Sequence, residues 1–245
     1  MAEQHVEAAV FISTLRQEQK MKLRGGLYHL NQVLMAYNTN RIEGSQLSLE
    51  QTRFIYETRT VDGTARVDDV VETTNHFRMF DLMLDNIDQP LSKDVIKEYQ
   101  RLLKSGTSDA DLDWFAVGDW KKVPNVVGGA DTTEPELVDD EIGKLLEDFP
   151  DAAVMTFEDI CDFHSRFERI HPFQDGNGRV GRLIMFGQCL ASGTMPFIVL
   201  DSERFYYYRG LSEYSTEPGF LQDTFRHFQD VYYDMFEKYV ARVER

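Results

Sequence analysis

Apolar side chains recur along this chain at spacings of three and four, the period of a helix with one buried face. Leu27, Leu30, Val33, Leu34 and Tyr37 predict one such helix. Val70, Val71, Phe77, Phe80, Leu82 and Leu84 predict a second; Val95, Ile96, Tyr99, Leu102 and Leu103 a third; Ile142, Leu145 and Leu146 a fourth. Ile160, Phe163, Phe167 and Ile170 run as a stripe up to His171, and Leu183, Ile184, Phe186 and Leu190 resume it. The stretch 220–240 carries Phe225, Phe228, Val231, Tyr232, Met235, Phe236 and Tyr239, which read as packing residues. The pattern breaks between Ser105 and Thr133, a segment rich in Gly and Asp. Its extended piece, Trp120 to Val127, lies between Gly118 and Gly128-Gly129 and predicts a small β-hairpin or flap. The expectation is a mainly α fold, one helical domain with an N-terminal helical extension.

Composition supports a sizeable core: of 245 residues, 42% are hydrophobic and 12% aromatic. Acidic residues outnumber basic ones 42 to 26, a formal net charge of −16, which argues against a general nucleic-acid binder. Any phosphate ligand must then be held by a local cluster of donors. Cys161 and Cys189 lack the spacing of a zinc site or disulfide framework and read as buried free thiols. No apolar run approaches the roughly 18 residues of a membrane span, and no signal peptide precedes the first helix. The expectation is a soluble, cytoplasmic protein with no membrane partner.

The chemistry concentrates in His171-Pro172-Phe173-Gln174-Asp175-Gly176-Asn177-Gly178-Arg179-Val180-Gly181-Arg182. Pro172 discourages His171 from remaining helical. Gly176, Asn177 and Gly178 suit a turn that aims N–H groups at an anion, and helical periodicity resumes immediately after. The glycines therefore fall at a helix N-terminus, where unpaired N–H groups and the dipole favour phosphate. Arg179 and Arg182 share one face of the first turn, where a cation opposes the dipole by about 0.3–1 kcal/mol. An anion between the N-terminus and the two guanidinium forks resolves that conflict. Asp175 suits Mg²⁺ bridging two phosphates, and His171 a general base near neutral pH. The run Gly176-x-Gly178-x-x-Gly181 also fits a dinucleotide-binding pattern, but that pattern needs a preceding strand and here a helix precedes it. No GxxxxGK(S/T) loop is present.

These twelve residues match the signature of the Fic family, HPFx(D/E)GNGRxxR, at every specified position, and His164, Phe167, Glu168 and Ile170 resemble the family's approach helix. The resemblance covers residues 65 to 210. It implies a helical bundle with a β-hairpin flap and transfer of AMP from ATP to a protein hydroxyl, with release of pyrophosphate. By the same resemblance His171 deprotonates a Ser, Thr or Tyr hydroxyl, Phe173 anchors the loop, and Asp175 holds Mg²⁺. Gly176, Asn177 and Gly178 then cradle the α- and β-phosphates, Arg179 contacts the phosphates, and Arg182 orients the γ-phosphate. Gly118-Asp119-Trp120-Lys121 resembles the start of the family's flap, with Lys121 where Arg is common. Trp120, Lys121, Val126 and Val127 would dock a target segment by strand pairing. Tyr206, Tyr207 and Leu211 resemble the region near the adenine, with plain helix packing the alternative for each tyrosine.

Upstream, Thr39-Asn40-Arg41-Ile42-Glu43-Gly44 puts Thr39 and Glu43 on one helix face, with Gly44 a natural helix end. A carboxylate in the last turn opposes the dipole unless it meets a cation. The segment resembles the family's inhibitory motif, (S/T)xxxE(G/N), which implies that Glu43 pairs with Arg182 and blocks the γ-phosphate position.

The implied organisation is an N-terminal helical extension with the inhibitory motif over 1–60, a core over 61–212 and a C-terminal helix over 213–245. The leading expectation is a self-inhibited protein adenylyltransferase using ATP and Mg²⁺ on a protein target, itself included, with self-association left open. Two alternatives stand beside it: a Fic enzyme that transfers phosphate, UMP or phosphocholine, or removes AMP, and a nucleotide-binding regulatory module without catalysis.

Overall fold

The computed structural model describes residues 7–240, which form α1 (Ala8–Met21), α2 (Leu27–Ile42), α3 (Leu49–Thr58), α4 (Val67–Asp85), α5 (Lys93–Lys104), α6 (Val138–Asp148), α7 (Phe157–Ile170), α8 (Asn177–Ser192), α9 (Arg204–Glu213) and α10 (Gly219–Val240). One antiparallel hairpin, β1 (Val126–Val127) with β2 (Ala130–Asp131), pairs Val126 with Asp131 and Val127 with Ala130. The fold is mainly α. Residues 1–6 and 241–245, at the ends of the first and last expected segments, lie outside the described residues.

Helix α8 is the axis of the core. Its residues are buried from Asn177 to Phe186 and again from Gln188 to Leu190, so it meets neighbours on every side. Helix α7 packs along it, with α2, α4, α5 and the short turn Ala152–Val154 around it. Helix α10 packs on α9, α7, α2 and α1. Its Phe225 and Phe228 meet Phe197, and the Tyr232 hydroxyl donates to Asn31 Oδ1 of α2 at 3.0 Å. Both cysteines are buried free thiols.

Local signals set the helix ends. Thr156 Oγ1 accepts from the Asp159 N–H at 3.1 Å, while Asp159 Oδ2 accepts from the Thr156 N–H at 2.8 Å, a reciprocal cap that starts α7. Ser48 and Gln51 build the same device for α3. Helix α2 ends where Gly44 takes φ +96°, with the Ser45 N–H on the Asn40 carbonyl at 2.9 Å and the Gly44 N–H on the Arg41 carbonyl at 3.0 Å.

Two expectations need correction. Helix α2 does not bury one apolar face: His29, Asn31, Gln32, Asn38, Thr39 and Asn40 are buried as well, because α1, α3, α4, α8 and α10 surround it. The extended piece is also shorter than Trp120–Val127. Pro124 can give no ladder N–H, and the Lys121 N–H is taken by the Pro172 carbonyl at 2.8 Å, so strand pairing begins only at Val126.

Helices α9 and α10 approach closely: a Cβ at Gly210 would stand 2.7 Å from Leu221 Cα, a backbone atom that cannot yield. Gly210→Ala is expected to destabilise the fold by about 1–3 kcal/mol through overpacking, read as a lower midpoint in urea unfolding.

Candidate active site

The segment between α7 and α8 is shaped by two left-handed backbone positions. His171 caps α7 at φ 51°, ψ 62°, and Gly176 precedes α8 at φ 90°. Asn177 closes the turn, its Oδ1 accepting from the Phe173 N–H at 2.7 Å and its Nδ2 donating to the Phe173 carbonyl at 2.8 Å. Phe173 is buried, its ring 5.3 Å from that of Trp120. A Cβ at Gly176 would press on Leu103 Cδ2 at 3.0 Å, so α5 and the turn approach closely. The Asn177 side chain is thus spent on the loop. What the turn can offer an anion is the N–H array of the first turn of α8, which has no intrahelical acceptors.

His171 Nδ1 lies 3.3 Å from the Glu168 carbonyl. A carbonyl only accepts, so Nδ1 carries the proton and Nε2 is left with its lone pair. Burial lowers the His171 pKa, and the Glu168 carbonyl only partly offsets this, so the ring is neutral near pH 7 and able to take a proton.

Both arginines are buried and both are paired with carboxylates. Arg182 Nε donates to Thr39 Oγ1 at 2.8 Å, and Nη2 donates to the Thr39 carbonyl at 3.3 Å and to Glu43 Oε1 at 2.5 Å. Nη1 reaches the Tyr207 hydroxyl at 3.5 Å. Arg179 Nη2 donates to Asp175 Oδ2 at 2.8 Å, and its Nη1 donates to Glu72 Oε2. Gly178 is where this crowding shows: a Cβ there would strike Glu43 Oε1 and stand 2.8 Å from Arg182 Nη1.

Residues 90–188 match the model of the Fic/DOC family. That match contains the whole 171–182 segment. It is 28% identical over 186 residues to the protein adenylyltransferase Fic of Drosophila ananassae, covering 71% of this chain and 35% of that protein. The protein adenylyltransferase fic-1 of Caenorhabditis elegans is 27% identical over 186 residues, covering 73% and 35%. The chain therefore spans about a third of the length of the curated relatives it matches. Among solved structures, a Fic domain containing signaling protein from Bacteroides thetaiotaomicron aligns with TM-score 0.68 at 22% identity over 95% of this chain and 91% of that one. A Fic-1 fragment of C. elegans aligns with TM-score 0.69 at 22% identity over 97% and 72%.

Not every predicted site residue sits where the sequence suggested. Tyr206 is 61% exposed, whereas Tyr207 lies fully buried against Phe225, its hydroxyl sharing a 2.9 Å hydrogen bond with His164 Nε2. For Tyr207 the packing alternative is the observed one. Lys121 is not a docking residue. It is 2% exposed, and its Nζ donates to Asn125 Oδ1 at 2.8 Å, Thr132 Oγ1 at 2.6 Å and the Ile170 carbonyl at 3.4 Å. Burial lowers its pKa to about 8. It fastens the base of the hairpin to the end of α7, and the face offered outward is that of Val126 and Val127. Trp120 is partly buried, donating from Nε1 to Asp139 Oδ1 at 2.9 Å.

Asp175 is not a bare carboxylate. Burial pushes its pKa up, but Arg179 and Lys104 outweigh this and hold it well below the usual range. Its side chain is 42% exposed, and no cluster of three or more His, Cys, Asp or Glu among the described residues could hold a metal. This donor set fits Mg²⁺ as that ion is commonly held, by one carboxylate with substrate phosphates and water. A cleft of about 520 Å³ lined by Arg66, Asp68, Ser108 and Asp111 shares no residue with the 171–182 segment.

Sequence reasoning missed Glu72, Gln100, Lys104 and Tyr208. Gln100 Oε1 accepts from the Gly118 N–H at 2.5 Å and its Nε2 donates to the Asp175 carbonyl at 3.4 Å. The Tyr208 hydroxyl donates to the Ile42 carbonyl at 3.1 Å, one residue before Glu43. For Gln100 and Lys104 a signal existed: both fall on the apolar stripe of α5 with Ile96, Tyr99 and Leu103.

Glu168 Oε1 is buried with no hydrogen-bond partner, in space that exists only because Gly181 has no Cβ. Burial raises its pKa to about 7 against the pull of Arg182. A carboxyl that titrates near 7 when folded and near about 4.3 when unfolded contributes stability that is full below the lower value and lost as pH rises through the higher. Relative to Glu168→Gln, the wild-type chain is expected to lose about 1–3 kcal/mol of unfolding free energy between about pH 4 and pH 8. Urea unfolding of both at each pH measures it; parallel pH profiles would assign Glu168 an ordinary carboxyl.

Proposed function

We propose that this chain transfers AMP from ATP to a hydroxyl of a protein, and that its own Glu43 restrains the reaction. The observation that carries the reading is the Glu43–Arg182 pair at the N-terminus of α8, beside a neutral His171. A guanidinium lying over the first turn of α8, beside Gly178, is badly placed against the helix dipole without an anion, and a nucleotide phosphate is the other anion that fits. The relatives from Drosophila and C. elegans are named protein adenylyltransferases, which supports the same activity.

In this reading the α8 N–H array and Arg179 hold the α- and β-phosphates, and Arg182, freed from Glu43, orients the γ-phosphate. The acceptor oxygen attacks the α-phosphorus as His171 Nε2 takes its proton. The bond from the α-phosphorus to the bridging oxygen breaks, and pyrophosphate leaves. Asp175 would hold Mg²⁺, which supplies charge neutralisation between phosphates when bound. Val126 and Val127 present the hairpin to an extended segment bearing a Ser, Thr or Tyr hydroxyl, this chain's own hydroxyls among the candidates. Residues 1–60 act as the regulatory extension, 61–212 as the catalytic core and 213–245 as a packed C-terminal helix.

The restraint is local and reversible. Glu43 sits at the cap of α2, where its side chain is 30% exposed, while Arg182 is 3% exposed. Moving the carboxylate is therefore the cheaper half of separating the pair.

Glu43→Gly is expected to label protein from α-phosphate-labelled ATP at least about tenfold faster than wild type, the scale of one charge-assisted contact. Adding His171→Ala should abolish that labelling. Equal labelling by wild type and Glu43→Gly would remove the restraint, and labelling that survives His171→Ala would remove the base. Mass spectrometry of the product reads the transferred group.

A further inference from the structure

Lys104, in the last turn of α5, is a second cation buried against Asp175, and the mechanism gives it no task. Its side chain is 2% exposed. Nζ donates to Glu72 Oε1 at 2.6 Å, to Asp175 Oδ2 at 2.6 Å and to Asp109 Oδ2 at 2.9 Å. The Phe115 ring covers it at 5.4 Å. Arg179 holds two of the same three carboxylates, Asp175 through Nη2 and Glu72 through Nη1. Lys104, Glu72, Arg179 and Asp175 therefore close a ring of alternating charge.

The ring has a consequence for ligand exchange. A buried arginine that is the sole partner of a carboxylate strands that charge when it turns away, which is strongly unfavourable. Here each carboxylate held by Arg179 is held by Lys104 too. Three carboxylates, from Glu72, Asp175 and Asp109, surround the Lys104 ammonium. Arg179 can then swing to a phosphate while Glu72 and Asp175 keep a cationic partner.

We propose that Lys104 is a positioning residue for nucleotide binding, the standing counter-ion that lets Arg179 exchange its carboxylates for a phosphate. This rests on the nucleotide reading given above. Lys104 touches no phosphate in this account; it acts through Arg179. Without it, Arg179 becomes the only cation left in the ring and is held to both carboxylates.

The test is calorimetric titration of the full chain with ADP in EDTA. Lys104→Met is expected to weaken ADP binding about tenfold, the scale of one charge-assisted contact. Lys104→Arg should bind as wild type does. Adding Glu72→Gln to Lys104→Met should recover most of the loss, since Arg179 then has one carboxylate fewer to abandon. A merely structural lysine predicts no such recovery. Wild-type affinity in Lys104→Met, or a double variant that binds no better than the single, overturns the proposal and leaves the nucleotide reading intact. Absence of ADP binding by the wild type overturns both. If Lys104→Met does not fold, Glu72→Gln alone decides: tighter ADP binding supports the role, and unchanged or weaker binding overturns it.

Discussion

Arg182 stands on the second turn of α8, but its buried guanidinium lies back over Gly178 in the first, facing the positive end of the helix dipole, and its neighbours are arranged around that conflict. Thr39 supplies a hydroxyl and a carbonyl, Glu43 a carboxylate and Tyr207 a hydroxyl. Each acceptor imposes an order elsewhere. Thr39 and Glu43 must share a face of α2, which must end immediately after Glu43, and Gly44 ends it with a left-handed turn. Gly178 must lack a side chain so that the pair can close over the helix. Tyr207 must be drawn into the core, where His164 receives its hydroxyl. Asn40 on Thr73, the Gln46 N–H on Asp69 and Tyr208 on Ile42 then pin the end of α2 to α4 and α9.

The helices that pack by apolar stripes were legible from periodicity alone, as was the turn from His171 to Arg182, whose chemistry is written in consecutive residues. The Glu43–Arg182 pair was legible only through a resemblance, because 139 positions separate its members. Helix α3 escaped the periodic reading, although Ser48 and Gln51 spell its cap. What sequence could not yield was direction. Lys121 is a cation in a polar segment and reads as exposed, yet three acceptors at the base of the hairpin draw it inward. Tyr206 and Tyr207 are adjacent and chemically alike, but one helical step turns one ring outward and the other into the core. Lys104 and Glu72 belong to different helices, so no local pattern joins them, although polar residues on the apolar stripe of α5 marked a buried network.

The two arginines solve the same problem in different ways. Arg182 is balanced by a carboxylate on a helix cap, partly exposed and carried by an element outside the 90–188 match. Arg179 is balanced by carboxylates that a second buried cation also holds. Breaking a buried ion pair so that one charge is left uncompensated costs about 3–5 kcal/mol. Arg182 therefore needs an anion at all times, and whatever displaces Glu43 must bring one. Arg179 can change partners without that requirement on its carboxylates. Under the proposed function, control would fall on Arg182, whose partner is movable, while each carboxylate of the Arg179 ring keeps Lys104 whether or not Glu43 is in place.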